Sequence, residues 1–231
     1  MLLFVITSLL AFGAIAWAAE DAFEGRRLEM VTSQIEARRI RDPLVLEAMR
    51  TVPRHLFVPP QYRDQAYSDH PLPLGWKQTI SQPYIVALMT ELVRPRTGFK
   101  VLEVGTGSGY QAAVLAACGA EVYTIEILPD LARQAAAVLE ELGYENLHTR
   151  IGDGYDGWPE AAPFDAVVVT AAPDAIPQPL LDQLAPGGRL VIPVGTRSQE
   201  LVLVTRTEDG FERRTVTPVR FVPMTGKAQE N

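Results

Sequence analysis

The chain has 231 residues, 47% of them hydrophobic, which is enough for one sizeable core and makes a single domain the starting expectation. Its 21 Lys+Arg against 28 Asp+Glu leave a net charge of -7 with no long basic run, which argues against a nucleic-acid partner gripped through phosphates. A single cysteine, Cys118, excludes an intramolecular disulfide and a cysteine-based metal cluster, and His55, His70 and His148 lie far apart without ligand spacing, so no metal is expected.

Met1 to Ala19 carries no charged side chain. As a helix it would span roughly 28 Å, close to a bilayer core. Ala16-Trp17-Ala18 also reads as a small-x-small cleavage site. No Lys or Arg precedes the apolar run, which weakens the export reading. Arg26, Arg27, Arg38, Arg39 and Arg41 follow it, and by the positive-inside tendency an uncleaved anchor leaves the body of the protein on the cytoplasmic side. Residues 1–19 are therefore set apart as a leader, signal-like or membrane-anchoring. The body is expected in the cytoplasm, with export to the periplasm as the alternative.

From Phe23 to about Pro60 the pattern is helical. Met30, Ile35 and Ile40 are apolar among charged neighbours, and Asp42-Pro43 predicts an N-cap followed by proline at the first helical position. Pro53 to Gly75, rich in Pro, Tyr and Asp, reads as ordered loop. Ser81 then precedes a helix carrying Ile85, Leu88, Met89 and Leu92, with Pro83 in its first turn and its end before Pro95.

From Phe99 strands and helices alternate. Strands are expected at Lys100 to Val104, Glu121 to Ile127, Leu147 to Ile151, Phe164 to Thr170 and Arg189 to Val194, with helices at Tyr110 to Ala117, Leu128 to Leu142 and Pro179 to Leu184. The run FDAVVVT has the continuous apolarity of a strand buried on both faces. Leu201 to Thr207 and Arg213 to Val219 alternate and read as antiparallel. The order predicts an α/β fold: a doubly wound, mostly parallel Rossmann-like sheet, helices on both faces, and an antiparallel C-terminal edge. Within a single domain at 23–227, residues 23–98 form an N-terminal helical, substrate-side layer and residues 99–227 the ligand-binding sheet and last strands.

The strongest local feature is Glu103-Val104-Gly105-Thr106-Gly107-Ser108-Gly109-Tyr110, between a strand and a helix. Glycines let the backbone turn sharply and approach a ligand, and the helix start offers unpaired N–H groups. In a doubly wound sheet this turn sits at the ligand crevice. A dinucleotide fingerprint wants G-x-G-x-x-G, and Tyr110 stands where its last glycine belongs. Glu103, just before the loop, would repel a phosphate but suits a cationic, amino-acid-bearing ligand. Glu126 ends the second strand, where such folds place a carboxylate on ribose hydroxyls. Asp153, in Gly152-Asp153-Gly154, ends the third strand, either facing an adenine ring or making a plain Asp-Gly turn.

These residues resemble the class I methyltransferase pattern, and the wider chain narrows the match. Thr79-Ile80-Ser81-Gln82-Pro83-Tyr84, VLEVGTGSGYQ, GDG, APFD with VVVTAAP, PGGRLVIPVG, VPRHLFVP upstream and RFVPMT near the end are similar to the protein-L-isoaspartate O-methyltransferase family over roughly Phe23 to Lys227. The resemblance implies S-adenosylmethionine as cofactor and, as partners, proteins and peptides carrying L-isoaspartyl residues, whose free α-carboxylate is methylated to begin repair. It implies that Ser81 is the active-site serine and that Thr79 and Ile80 line the same junction. Glu103, Gly105, Gly107, Glu126, Asp153 and Gly154 surround the cofactor in the same reading, with Thr225 near the site. A monomer is expected, and the members of the family are expected to lack an apolar leader.

The residues agree with that chemistry. A carboxylate, with an unperturbed pKa of about 3.9, is already ionised at neutral pH and needs no general base to attack a sulfonium methyl group. The protein must align the transfer and hold the carboxylate, which a hydroxyl such as Ser81 can do by donating a hydrogen bond. Ser81 also has the chemistry of an N-cap for the helix that follows it. Three other functions remain in view: a class I methyltransferase with a different small-molecule, nucleic-acid or protein substrate, a nicotinamide-dependent oxidoreductase, and a binding protein without turnover.

Overall fold

The computed structural model describes residues 23–230. The leader expected at 1–19 lies outside the described residues. Among the described residues no helix is long and apolar enough to cross a membrane.

Residues 23–30 form a helix, α1, that widens into a π turn at Val31–Ile35 and tightens into a 3-10 turn at Glu36–Arg38, ending at Arg39 in the left-handed region with φ 69°. Helix α2 (Pro43–Thr51) starts as its sequence requires: the Asp42 carboxylate accepts from the amides of Leu44 and Val45, and Pro43 takes the first turn. The stretch read as loop is more structured than expected. It contains 3-10 turns at Arg54–Phe57 and Pro60–Gln65 and strand β1 (Leu72–Gly75), which pairs antiparallel with β2 (Gln78–Ile80). Proline at 71 and 73 hid the alternation of Leu72 and Leu74, both buried.

Helix α3 (Pro83–Val93) leads to β3 (Lys100–Val104), α4 (Tyr110–Ala117), β4 (Glu121–Glu126), α5 (Pro129–Glu141), β5 (Leu147–Ile151) and β6 (Phe164–Val169). The short helix α6 (Gln178–Asp182) precedes β7 (Leu184–Val194), β8 (Gln199–Thr207) and β9 (Gly210–Val219). The seven-stranded sheet has the order β5-β4-β3-β6-β7-β8-β9. Strands β3 to β7 pair in parallel, and β8 and β9 add an antiparallel edge. Strand β7 begins five residues earlier than the sequence suggests, at Leu184 rather than Arg189. Pro186-Gly187-Gly188 reads as a turn, but the pairing with β6 slips its register there, and Gly187 takes φ 76° inside the strand.

Alternate residues along the central strands feed opposite faces. Leu102, Val167 and Leu190 pack with α6 on one side; Val101, Val168 and Val191 pack with α3 and α4 on the other. A third core joins the N-terminal layer to α4 and α5, bringing Met30, Ile35, Met49 and Phe57 against Tyr110, Val114, Leu131 and Leu139. Because β3 pairs with β4 on one side and β6 on the other, its carboxyl end is the point where the sheet order reverses. Open α/β sheets hold ligands in the crevice at that point.

Candidate functional site

A cleft lies at that end of the sheet. Its walls come from Gln78 to Ser81, from the β3–α4 loop, from the ends of β4 and β6, from Gly154, and from Val222 to Thr225.

The loop leaving β3 is tied to its neighbours on both sides. The amides of Gly105 and Thr106 donate to the Ile125 carbonyl at 2.8 and 3.1 Å. From β6, the Thr170 hydroxyl reaches the carbonyls of Gly105 at 2.6 Å and Val104 at 3.1 Å. Gly105 takes φ 95°, and a Cβ there would collide with the Thr170 Oγ1. Only glycine satisfies both conditions.

Two carboxylates face this loop. Glu126 ends β4, and its Oε2 accepts from the Gly107 amide at 2.9 Å while Oε1 accepts from the Leu128 amide at 3.0 Å. Glu103 sits on β3, fully buried, with Oε2 in contact with the Thr124 hydroxyl. Thr124 in turn lies 2.6 Å from the Thr106 hydroxyl. Burial pushes the Glu103 carboxyl up to about 8; the Thr124 hydrogen bond opposes the rise and nearby Glu126 adds to it. The Glu103 Oε1 is buried with no hydrogen-bond partner among the described residues. An unsatisfied buried carboxylate oxygen beside a second carboxylate suits a ligand that brings a cationic donor.

Residues 79 to 81 form another part of the wall. Thr79 and Ile80 belong to β2, and Ser81 follows half-buried. Ser81 does not cap α3. The N-cap is Gln82, and no side chain caps that helix; the Gln82 side-chain Nε2 donates instead to Asp69, to its carbonyl at 3.0 Å and to Oδ1 at 2.7 Å. Ser81 thus lines the cavity without serving the helix.

Most of the residues singled out from the sequence meet here: Thr79, Ile80, Ser81, Glu103, Gly105, Gly107, Glu126, Gly154 and Thr225 all line the cleft. Asp153 does not. Its Oδ1 accepts from the Tyr155 amide at 2.9 Å and its Oδ2 from the Lys227 amide at 2.8 Å, so it fastens the turn that presents Gly154 and ties it to the C-terminal segment. That segment pairs with the β6 loop through the Ala172–Pro223 bridge, with the Ala172 amide on the Val222 carbonyl and the Met224 amide on the Ala172 carbonyl, each at 2.8 Å. Sequence reasoning missed Thr106, Thr124 and Thr170. For Thr124 and Thr170 the available signal was a threonine inside or ending an apolar strand, where a buried hydroxyl needs a partner.

Comparison with known proteins agrees with this geometry. A family model for protein-L-isoaspartate(D-aspartate) O-methyltransferase matches residues 26–229. A Gloeobacter violaceus protein-L-isoaspartate O-methyltransferase is 59% identical over 205 residues, 87% of this chain and all of that one. A Shewanella sediminis protein-L-isoaspartate O-methyltransferase 2 is 52% identical over 234 aligned residues, 98% of this chain and 96% of its own. A crystal structure of a Plasmodium falciparum chain, described as a candidate protein-L-isoaspartate O-methyltransferase in complex with S-adenosyl-L-homocysteine, superposes with a TM-score of 0.75 at 24% identity. It covers 86% of this chain and 98% of its own. With the family model spanning nearly all described residues and relatives more than half identical, the chain belongs to the protein-L-isoaspartate O-methyltransferase family.

Proposed function

We propose that this chain transfers the methyl group of S-adenosylmethionine to the free α-carboxylate of L-isoaspartyl residues in damaged proteins. The observation that carries the reading is the meeting of Ser81 with the glycine loop and its two carboxylates in one cleft, in a chain that belongs to this family. The cofactor supplies a methyl group on a positively charged sulfur.

The residues present fit that cofactor. Glu126 accepts from ribose hydroxyls, and Glu103, whose Oε1 lacks a partner, faces the cationic end. Gly105 and Gly107 let the loop backbone approach, and Asp153 holds the turn that leaves Gly154 open on the adenine side. Ser81 donates a hydrogen bond to the substrate carboxylate and holds it in line, with Thr79, Ile80 and Thr225 shaping the junction. The nucleophile arrives ionised, so the chain's task is alignment and exclusion of water rather than proton transfer.

In this reading residues 23–227 act as one unit, with 23–98 on the substrate side and 99–227 on the cofactor side. The unit is read as a monomer. It works on the cytoplasmic side, where the cofactor is made; a mature chain starting at Ala19 in an exported fraction would overturn that placement.

The test is a methyl-transfer assay on an isoaspartyl peptide and its aspartyl twin. An isoaspartyl linkage moves the free carboxylate onto a shorter arm and adds a methylene to the main chain. A site fitted to it holds the normal side chain out of line, and about 1 Å of misplacement costs about a hundredfold. Equal methylation of the two peptides defeats the substrate assignment.

A further inference from the structure

The largest side chain buried to the last atom is a charged one. Arg54 opens the 3-10 turn Arg54–Phe57 and is 0% exposed. Its Nε donates to the Ala66 carbonyl and its Nη2 to the Ser81 carbonyl, both at 2.7 Å. Its guanidinium carbon lies 4.8 Å from the centre of the Tyr110 ring, the first residue of α4 and part of the cavity wall. Its Nη1 is buried without a hydrogen-bond partner among the described residues. Burial pulls the guanidinium down to about 10, against an opposing contribution from Tyr110, and leaves it charged at neutral pH.

A buried charge with one unpaired nitrogen is a poor device for stability, because an apolar side chain of similar volume often serves as well or better. What the guanidinium offers is a rigid fork that fixes two acceptors relative to each other. One of those acceptors belongs to Ser81. Among the described residues no helix amide donates to the Ser81 carbonyl. Pro83 has no N–H, and the first helical bonds of α3 go to the Gln82 carbonyl, not to Ser81. From the other side Gln82 grips Asp69, which Arg38 holds with both guanidinium ends. The two-residue junction is thus clamped from within by Arg54 and from without by Asp69.

We propose that Arg54 is a positioning residue for methyl transfer: it fixes the Ser81 carbonyl and so keeps the Ser81 hydroxyl where the substrate carboxylate must sit. The proposal rests on the function inferred above. Arg54 touches neither substrate nor cofactor in this account and acts only through Ser81.

The experiment compares Arg54→Lys and Arg54→Met, each alone and joined to Ser81→Ala, in the full chain. Lysine keeps the charge but cannot bridge both carbonyls, and methionine fills the space without charge, so the two variants need not share a folding defect. The readouts are kcat and KM for an isoaspartyl peptide and S-adenosylmethionine affinity by calorimetry. Either variant alone is expected to lower kcat about 10- to 100-fold, with cofactor affinity within about threefold of wild type. In the Ser81→Ala background the same change is expected to cost less than about threefold, because no hydroxyl remains to be misplaced. Equal losses in both backgrounds, a parallel loss of cofactor affinity, or full kcat in a folded Arg54 variant overturns the proposal, as does failure of both variants to fold, which makes Arg54 structural. A wild-type chain inert toward the peptide overturns instead the function on which the proposal rests.

Discussion

The Gly107 amide donates to Oε2 of Glu126 at 2.9 Å, so the carboxylate that ends β4 holds the loop that leaves β3. The same group is assigned to the ribose hydroxyls. Glu126→Ala is therefore expected to act twice. It should weaken S-adenosylmethionine binding by about 1–3 kcal/mol and also loosen the loop in the free protein. Calorimetry reads the first effect and thermal unfolding the second. Unchanged affinity in a folded variant places Glu126 outside the site.

Glu103 gives a pH dependence with a definite sign. Its ordinary value is 4.5 and burial raises it to about 8 in the folded chain. Between those values the unfolded chain has lost this proton and the folded chain keeps it. Stability from this group is thus full below about pH 4.5, falls as pH rises, by at most about 1.4 kcal/mol per unit, and levels off above about pH 8. Glu103→Gln, neutral throughout, should remove that slope. Denaturant melts from pH 5 to 9 on both proteins check it, and parallel curves would mean Glu103 is ionised in the free protein. A cationic ligand beside Glu103 should also expel the proton. Binding heats of S-adenosylmethionine near pH 7 should then vary with the ionisation enthalpy of the buffer.

Because Gln82 rather than Ser81 sits at the start of α3, Ser81→Ala should leave the melting temperature nearly unchanged. Turnover should fall by an amount equivalent to about 1.5–3 kcal/mol, one lost hydrogen bond to a charged group, while cofactor affinity changes much less. A variant as active as the wild type would remove Ser81 from the chemistry.

At Gly105 the backbone conformation and the space agree. Gly105→Ala must take a positive φ and displace the Thr170 hydroxyl from the carbonyls it holds. A cost of about 1–3 kcal/mol in stability is expected, with loss of cofactor binding. Thr170→Ala in the same background should relieve part of the collision, because it removes the γ atom that the new Cβ meets. If the double variant is no more stable than Gly105→Ala alone, the clash lies elsewhere.

The parallel sheet was legible because each of its strands announces itself locally, as in the FDAVVVT run of β6, and because Asp42-Pro43 and the glycine loop are signals that adjacent residues complete. The leading site carboxylates were legible from their place at strand ends. What escaped depends on distant partners. Arg54 reads as one more surface charge until Ala66 and Ser81 close around it, 12 and 27 positions away. Thr124 and Thr170 gain meaning only from neighbours on adjacent strands. Ser81 was open to two readings because the side chain that holds its neighbour Gln82, Asp69, lies 13 residues upstream of that glutamine.

The wall of the cleft is supplied by segments far apart in the chain, with Gln78 to Ser81 on one side and Val222 to Thr225 on the other. On the ribosome these segments emerge far apart in time. A nascent chain that has extruded the glycine loop, Glu103 and Glu126 still lacks its last wall until translation has passed Thr225. Ligand binding stabilises only what it can bind. The complete site therefore becomes available to stabilise the fold only after every strand of the sheet has been made.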